Sequence, residues 1–196
     1  MPTRPRPTIV GPRVYLRPPR QSDADDFLAA VRASRMLHGP WTRPPDTRPR
    51  FAAFAARYGA VPPGTHAGLL VFRRADHALV GVFNLSEIVL GAFRSAYLGY
   101  FGFVPFAGQG YMTEGMALVL DVAFRELGLH RVEVNIQPTN ARSLALARRL
   151  GFTREGYSRR YVKIAGRWRD HERYAMLVED WRTLRRKHLP RGARRP

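Results

Sequence analysis

The stretch Tyr97–Gly156, YLGYFGFVPFAGQGYMTEGMALVLDVAFRELGLHRVEVNIQPTNARSLALARRLGFTREG, decides how this 196-residue chain folds. A strand running through Leu98-Gly99-Tyr100 leads into a glycine loop, Pro105-Phe106-Ala107-Gly108-Gln109-Gly110. The loop opens directly into a helix, because Met112, Met116, Val119, Leu120, Ala123, Phe124 and Leu127 recur with a 3.6-residue period. A second strand is expected at 131–137. Asn140 then stands where an N-cap belongs, before the apolar helical run Leu144, Ala147, Leu150. Gly151 ends that helix as a C′ glycine, and Phe152 opens the next strand.

A helix N-terminus presents backbone N–H groups without intrahelical partners and the positive end of the helix dipole, so it attracts phosphate. Gly108 and Gly110 allow backbone angles closed to other residues and let a ligand approach the main chain. A tight strand–helix turn without a ligand would account for the same glycines. The loop lacks a Gly-Lys-Ser/Thr ending, which argues against a Walker-type site. Thr113 stands where a dinucleotide fingerprint needs its third glycine. The order of strand, glycine loop, helix start, strand and polar cap suits a pyrophosphate joined to a thioester.

These residues resemble the GNAT superfamily of N-acetyltransferases, and within it the RimJ/RimL-type ribosomal-protein alanine N-acetyltransferases. The likeness runs from about Arg13 to Trp181. It is densest at Tyr97–Tyr100, Gly108–Glu114, Asn140–Ser143, Leu150–Phe152, Glu155–Tyr157 and Gly166–His171. It implies one α/β (α+β) domain, with a mixed, mostly antiparallel central sheet flanked by helices and splayed strands forming an acetyl-CoA cleft. The family loop pattern, Gln/Arg-x-x-Gly-x-Gly/Ala, falls on Pro105 to Gly110. Pro105 departs from it and has no N–H to offer. The resemblance implies that the amides of Gly108, Gln109, Gly110, Tyr111, Met112 and Thr113 hold the CoA pyrophosphate. It also places Phe103 and Val104, at the splayed strand end, against the cofactor, and Asn140 on the pantetheine arm. Many superfamily members carry a tyrosine acid seven residues after that Asn; here the position is Ala147. Ser143 is the substitute of the RimL-like branch, with its hydroxyl near the CoA sulfur.

The chemistry fits that assignment. An amine attacking a thioester must be neutral, and the departing thiolate must be stabilised. An α-amino group has an ordinary pKa near 7.7–8.0, against about 10.4 for lysine, so a protein N-terminus needs little help from a base. Backbone N–H groups on the strand before the loop can polarise the acetyl carbonyl. Candidates for the base are Glu114, Asp170, Glu87 and Glu133. Glu114 is equally a first-turn acid that stabilises the helix dipole, and His171 reads as a strand residue packing beside Asp170. Trp41, in a proline-rich segment, is a candidate for the acceptor pocket or a packing residue.

Composition agrees with one compact domain. No apolar run approaches 18 residues, and the first residues lack the apolar core of a signal peptide. With no cysteine, the chain has no disulfide framework and no thiolate metal site. Six scattered histidines show no ligand spacing, so no metal is expected. A cytoplasmic protein, monomer or homodimer, is the expectation. The formal charge of +18 is uneven: residues 1–20 and 182–196 contain twelve Arg/Lys and no acids. This divides the chain into a basic extension at 1–10, an acetyltransferase domain at 11–183 and a basic tail at 184–196. The tails are either solvated or a source of weak, salt-sensitive ribosome or RNA association. The expected activity is acetyl-CoA-dependent acetylation of a protein α-amino group, of the ribosomal-protein alanine type. The alternatives are acetylation of a small amine or antibiotic, and a non-catalytic RNA- or ribosome-binding module. The strong positive charge argues against free polycations as acceptors.

Outside the central stretch, the pattern predicts a strand at 13–17 and a helix capped by Ser22 reaching about Arg32. A loop is expected at 37–45, then a helix near 51–58. Strands at 69–73, 79–88 and 94–103 form an antiparallel meander. A hairpin at 157–164 and 169–177 turns at Ala165-Gly166.

Overall fold

The computed structural model describes residues 9–60 and 62–189. Eight strands form one sheet: β1 (Ile9–Val10), β2 (Val14–Arg17), β3 (Ala67–Arg73), β4 (Leu79–Val89), β5 (Ser95–Gly102), β6 (Arg131–Ile136), β7 (Thr153–Ile164) and β8 (Arg167–Leu177). Their order is β1-β2-β3-β4-β5-β6-β8-β7. Every neighbouring pair is antiparallel except β5 and β6, which run parallel. Six helices flank them: α1 (Ala24–Ala33), α2 (Arg35–His38), α3 (Arg48–Tyr58), α4 (Tyr111–Arg125), α5 (Ala141–Leu150) and α6 (Val178–His188). The expected meander, hairpin and central strand–helix units are all present.

β3 is buried along its whole centre, Gly68 to Phe72, because helices cover both faces of the sheet. Period-2 alternation divides its side chains. Leu69 and Val71 join a core built with α4, α5 and Trp181 of α6. Leu70 and Phe72 join a second core with Phe27, Val31, Phe51, Phe54 and Phe103. α4 is buried continuously from Gly115 to Leu120. It lies so close to the sheet that a Cβ on Gly115 would stand 2.9 Å from the Phe83 ring.

Several boundaries differ from the sequence reading. Ser22 is not the cap: Gln21–Asp23 form a 3₁₀ turn before α1, with Asp23 accepting from the Arg20 N–H at 2.7 Å and from Arg17. Leu37 and His38 belong to the one-turn helix α2, because the chain must bury His38 before it can leave as a loop. Ile9 and Val10 pair with Leu16 and Tyr15, so the sheet takes in the end of the expected 1–10 extension; residues 1–8 lie outside the described residues. Within the expected 184–196 tail, residues 184–189 continue the folded part of the chain. α6 runs through His188, Trp181 is 1 % exposed and Leu189 is buried. Arg185 holds Asp121 of α4 with two N–H donors. Residues 190–196 lie outside the described residues.

That correction changes what a truncation should do. Deleting 185–196 removes Leu189 and strips Asp121 of the Arg185 guanidinium. Asp121 keeps Arg125, at 3.3 Å, but the lost charge-assisted bond and the lost burial of Leu189 together cost about 2 kcal/mol. At this chain length the loss lowers the melting temperature by roughly 4–8 °C. A thermal melt of this variant against the full chain checks it, and equal stability would remove the end of α6 as a contributor to the fold.

His38 predicts a pH dependence. It is 4 % exposed, and its Nε2–H donates to the Gly102 carbonyl at 2.7 Å. Nδ1 is enclosed without a partner among the described residues, so protonation there would place an unsolvated charge in the core. Burial lowers the pKa of His38, and likewise of His66, His171 and His188. Each folded-state pKa lies below the unfolded value near 6.5. Below about pH 6.5 the unfolded chain therefore binds more protons, and stability falls with acidification. The urea midpoint is expected to be lower at pH 5.5 than at 7.5, with a smaller difference in His38→Gln, whose amide can still donate to Gly102. An unchanged difference in that variant would remove His38 as a contributor.

Candidate functional site

β5 and β6 pair only over Ser95–Tyr97 with Arg131–Glu133; beyond that both strands continue without pairing to each other. The Phe103 N–H donates to Val80 at 2.8 Å, which fixes the alternation along β5. Residues 101 and 103 turn their backbone groups toward β4, and Tyr100 and Gly102 turn theirs toward the gap. The Gly102 carbonyl accepts from His38, so this side of the gap is lined by the Tyr100 and Gly102 N–H groups, which have no acceptor among the described residues, at the point where β5 runs into the glycine loop.

The loop presents donors to the same place. Gly108 and Gly110 have φ of +83° and +82°, the left-handed region open to glycine, and Gly110 is the N-cap of α4. Thr113 and Glu114 donate to the Gly110 carbonyl at 3.1 and 3.2 Å, which closes the first turn. The N–H groups of Gly108, Gly110, Tyr111 and Met112 have no acceptor among the described residues. Space around Gly108 is open. Free amides, a helix dipole and an open approach make a cradle that fits a pyrophosphate. Arg149 of α5 reaches the same turn, with Nη1 3.4 Å from the Thr113 hydroxyl.

Other expected site residues are placed differently. The N–H groups of Phe103 and Val104 are already engaged, by Val80 and by the Ser34 hydroxyl at 3.1 Å. Phe103 is fully buried between β5 and α1. The donors facing the gap are those of Tyr100 and Gly102 instead. The Gln109 N–H turns inward to Phe106, while its side chain donates to the Pro105 carbonyl at 2.8 Å. Glu114 accepts from the Arg13 and Val14 amides at 2.7 and 3.1 Å, and from Arg13 Nε at 3.0 Å. It ties β2 to the head of α4, and both of its oxygens are occupied there. Arg13 Nη1 also donates to the Gln109 carbonyl at 3.2 Å, and its guanidinium lies over the Tyr111 ring.

Across the gap, Asn140 caps α5: its Oδ1 accepts from the Ser143 N–H at 3.2 Å. Ser143 is half-buried. Ala147, at the position of the usual tyrosine, is 0 % exposed in the core, one helical turn beyond Ser143 on the same face of α5. Tyr100 is the residue that sequence reasoning passed over. Its hydroxyl donates to the Ser143 carbonyl at 3.2 Å, joining β5 to α5 across the opening. Burial raises its pKa, so it stays a neutral donor. The available signal was a polar-tipped aromatic on the α4-facing register of the strand before the loop.

The opposite face holds the remaining candidates. Gln137, at the end of β6, donates to the Pro40 and Trp41 carbonyls at 3.3 and 3.4 Å, which pins the Trp41 loop beside the gap. The Tyr161 hydroxyl is pushed up to about 12, first by burial and then by its bond to Tyr97. Glu133 is held by Arg131 Nε at 3.0 Å. Asp170 accepts from the Arg160 amide at 2.7 Å and from the Tyr157 hydroxyl at 2.6 Å, and these bonds lower its pKa. Glu87 is exposed, 3.8 Å from His66. His171 is buried against Tyr161, with its pKa lowered by burial. The candidate bases are scattered over β4, α4, β6 and β8 and do not converge.

A parallel pair that parts beside a glycine-capped helix is the arrangement of acetyl-CoA-binding folds, and comparison with known proteins agrees. The family model described as an acetyltransferase (GNAT) domain matches residues 13–153, and the chain belongs to this family. It is 42 % identical over 110 residues to the probable N-acetyltransferase YjcK of Bacillus subtilis, a match covering 56 % of this chain and 61 % of that protein. It is 38 % identical over 111 residues to the [ribosomal protein uS5]-alanine N-acetyltransferase of Escherichia coli, covering 57 % of each. The match thus spans about six-tenths of the length of these relatives. Among solved structures, RimJ of Mycobacterium smegmatis in complex with CoA-disulfide superposes with a TM-score of 0.79 at 28 % identity, over 89 % of this chain and 87 % of that one. The ribosomal-protein-S5-alanine acetyltransferase of Vibrio fischeri shares the fold, with a TM-score of 0.78 at 23 % identity, over 89 % and 98 %.

Proposed function

We propose that this protein transfers the acetyl group of acetyl-CoA directly to an amine, and that the acceptor is the α-amino group of a protein N-terminus of the ribosomal-protein alanine type. The observation that carries the first half is the gap between β5 and β6, with the unpartnered amides of Gly108, Gly110, Tyr111 and Met112 at its mouth. Those amides would hold the pyrophosphate, and Asn140 would position the pantetheine arm. Acetyl-CoA supplies an electrophilic carbonyl and a thiolate leaving group. The backbone N–H groups of Tyr100 and Gly102 face the gap, where they can polarise that carbonyl. Ser143 would donate its hydroxyl hydrogen toward the departing sulfur.

The incoming amine would enter from the face of Trp41, Tyr97 and Tyr161. An α-amino group is about half neutral near pH 8, so a water passing its proton to solvent suffices. This agrees with carboxylates that are each engaged elsewhere. The acceptor class rests on likeness to the alanine N-acetyltransferase of Escherichia coli and to the RimJ structure. A cytoplasmic location goes with that acceptor. No helix of the described residues is long and apolar enough to cross a membrane. Calorimetry with acetyl-CoA tests the binding half. A thiol-release screen over Ala- and Ser-initiated peptides, polyamines and aminoglycosides tests the acceptor. Turnover confined to the small amines would overturn the N-terminal reading, and binding without any turnover would leave a non-catalytic module.

A further inference from the structure

The charge of this protein has a concentration that the transfer reaction does not use. Residues 157–169, YSRRYVKIAGRWR, carry five Arg/Lys and no Asp or Glu. They form the distal half of the β7–β8 hairpin, and β7 is the edge strand of the sheet. Arg159 through Lys163 are exposed without interruption, as are Arg167 and Trp168. Trp168 is 60 % exposed, unusual for the largest apolar side chain. Lys163 and Trp168 are cross-strand partners, so a cation and an indole share one face.

Of the neighbouring acids, Glu155 is held by Arg131 and Glu172 by Arg154 and Tyr174. Asp170, bonded to Tyr157 and the Arg160 amide, attracts Arg159 and Arg160, and its single charge leaves the cluster strongly positive. Arg159, Lys163 and Arg167 make no ion pair among the described residues. A folded protein covering this surface would have to desolvate several unpaired cations. A flexible polyanion with flat aromatic faces satisfies both features: its phosphates meet the guanidinium and ammonium groups, and a base stacks on the indole.

We infer that the distal β7–β8 hairpin is a docking surface for single-stranded RNA, with Trp168 as the stacking platform and Arg159, Lys163 and Arg167 as the phosphate-binding cations. An acidic peptide would match the charge but leave Trp168 without a stacking partner. The hairpin, a folded element, takes the role that charge counting along the sequence gives to the termini.

The test uses the full chain, with its basic termini intact, and a fluorescein-labelled twelve-residue oligouridine read by anisotropy. Binding is expected to weaken with salt. The triple variant Arg159→Gln/Lys163→Gln/Arg167→Gln should bind at least tenfold more weakly at 50 mM salt. Its log–log salt slope should be shallower by about two, at roughly 0.7 for each phosphate that is no longer neutralised. Trp168→Ala should lose at least fivefold in affinity, within the range of one missing stack, with an unchanged salt slope. Trp168→Phe should keep most of the affinity. A triple variant that binds like the wild type would place the interaction on the termini and overturn the inference. Wild-type affinity in Trp168→Ala, with polyglutamate competing as well as unlabelled oligouridine, would overturn it in favour of an acidic protein partner.

Discussion

Ser143→Ala is expected to lower kcat by about 10–100-fold, the range of one missing transition-state hydrogen bond or acid contribution. Acetyl-CoA affinity should change little, because the interaction grows only as the sulfur gains charge. The structure makes this a clean experiment. The cap of α5 is made by the Ser143 backbone N–H with Asn140, and Tyr100 donates to the Ser143 carbonyl; neither bond uses the hydroxyl. Alanine also favours helix more than serine does, so stability should hold. If Ser143 only helped the helix start, the variant would lose stability and keep its rate. Thermal melts and kcat on one preparation separate the two outcomes. A wild-type kcat would exclude the proposed role and turn attention to the Tyr100 hydroxyl or ordered water.

Gly110→Val is expected to weaken acetyl-CoA binding at least tenfold, about 1.4 kcal/mol. Two physical effects act together. Gly110 sits at φ +82°, and a β-branched residue there is strongly disfavoured. A Cβ at this position would also stand 3.2 Å from Arg13 Nη2. Arg13 is bound to Glu114 and to the Gln109 carbonyl, so it has little freedom to yield. Either response, a flipped peptide or a displaced Arg13, disorders the free amides at the head of α4. Calorimetry on a variant whose melt shows it folded is the measurement, and an unchanged affinity would remove the loop from the cofactor site.

Much of the frame is legible in the sequence because local rules and tertiary packing agree along Tyr97–Gly156. The apolar period of α4 survives because that helix is the centre of the larger core, with Met116, Val119, Leu120 and Ala123 fully buried. Asn140 and Gly151 read as caps because capping chemistry is local: a side-chain oxygen three residues from an N–H, and a left-handed φ that suits glycine. Where a distant partner sets the boundary, local patterns mislead. Ser22 reads as a cap, yet Arg17 and the Arg20 amide make Asp23 the organiser of that turn. The second half of α6 reads as a basic tail since its charge hides an apolar edge, Leu184 and Leu189, that continues from Trp181. Only the rest of the fold gives that edge something to pack against.

Sequence alone determined the order of strands and helices along Tyr97–Gly156, the position of the glycine loop, and the left-handed turns at Gly110 and Gly151. These depend on periodicity and on backbone angles that each residue carries with it. Tertiary structure decided which groups face the gap. It turned the donors of Tyr100 and Gly102 toward it and bound those of Phe103 and Val104 elsewhere, and it engaged Glu114 as a tie between β2 and α4. It also brought the Tyr100 hydroxyl to Ser143, 43 residues away along the chain. The physical reason is that a hydrogen-bonding group serves whichever partner the sheet register brings within about 3 Å, and register across non-local strands is set by burying two apolar cores at once.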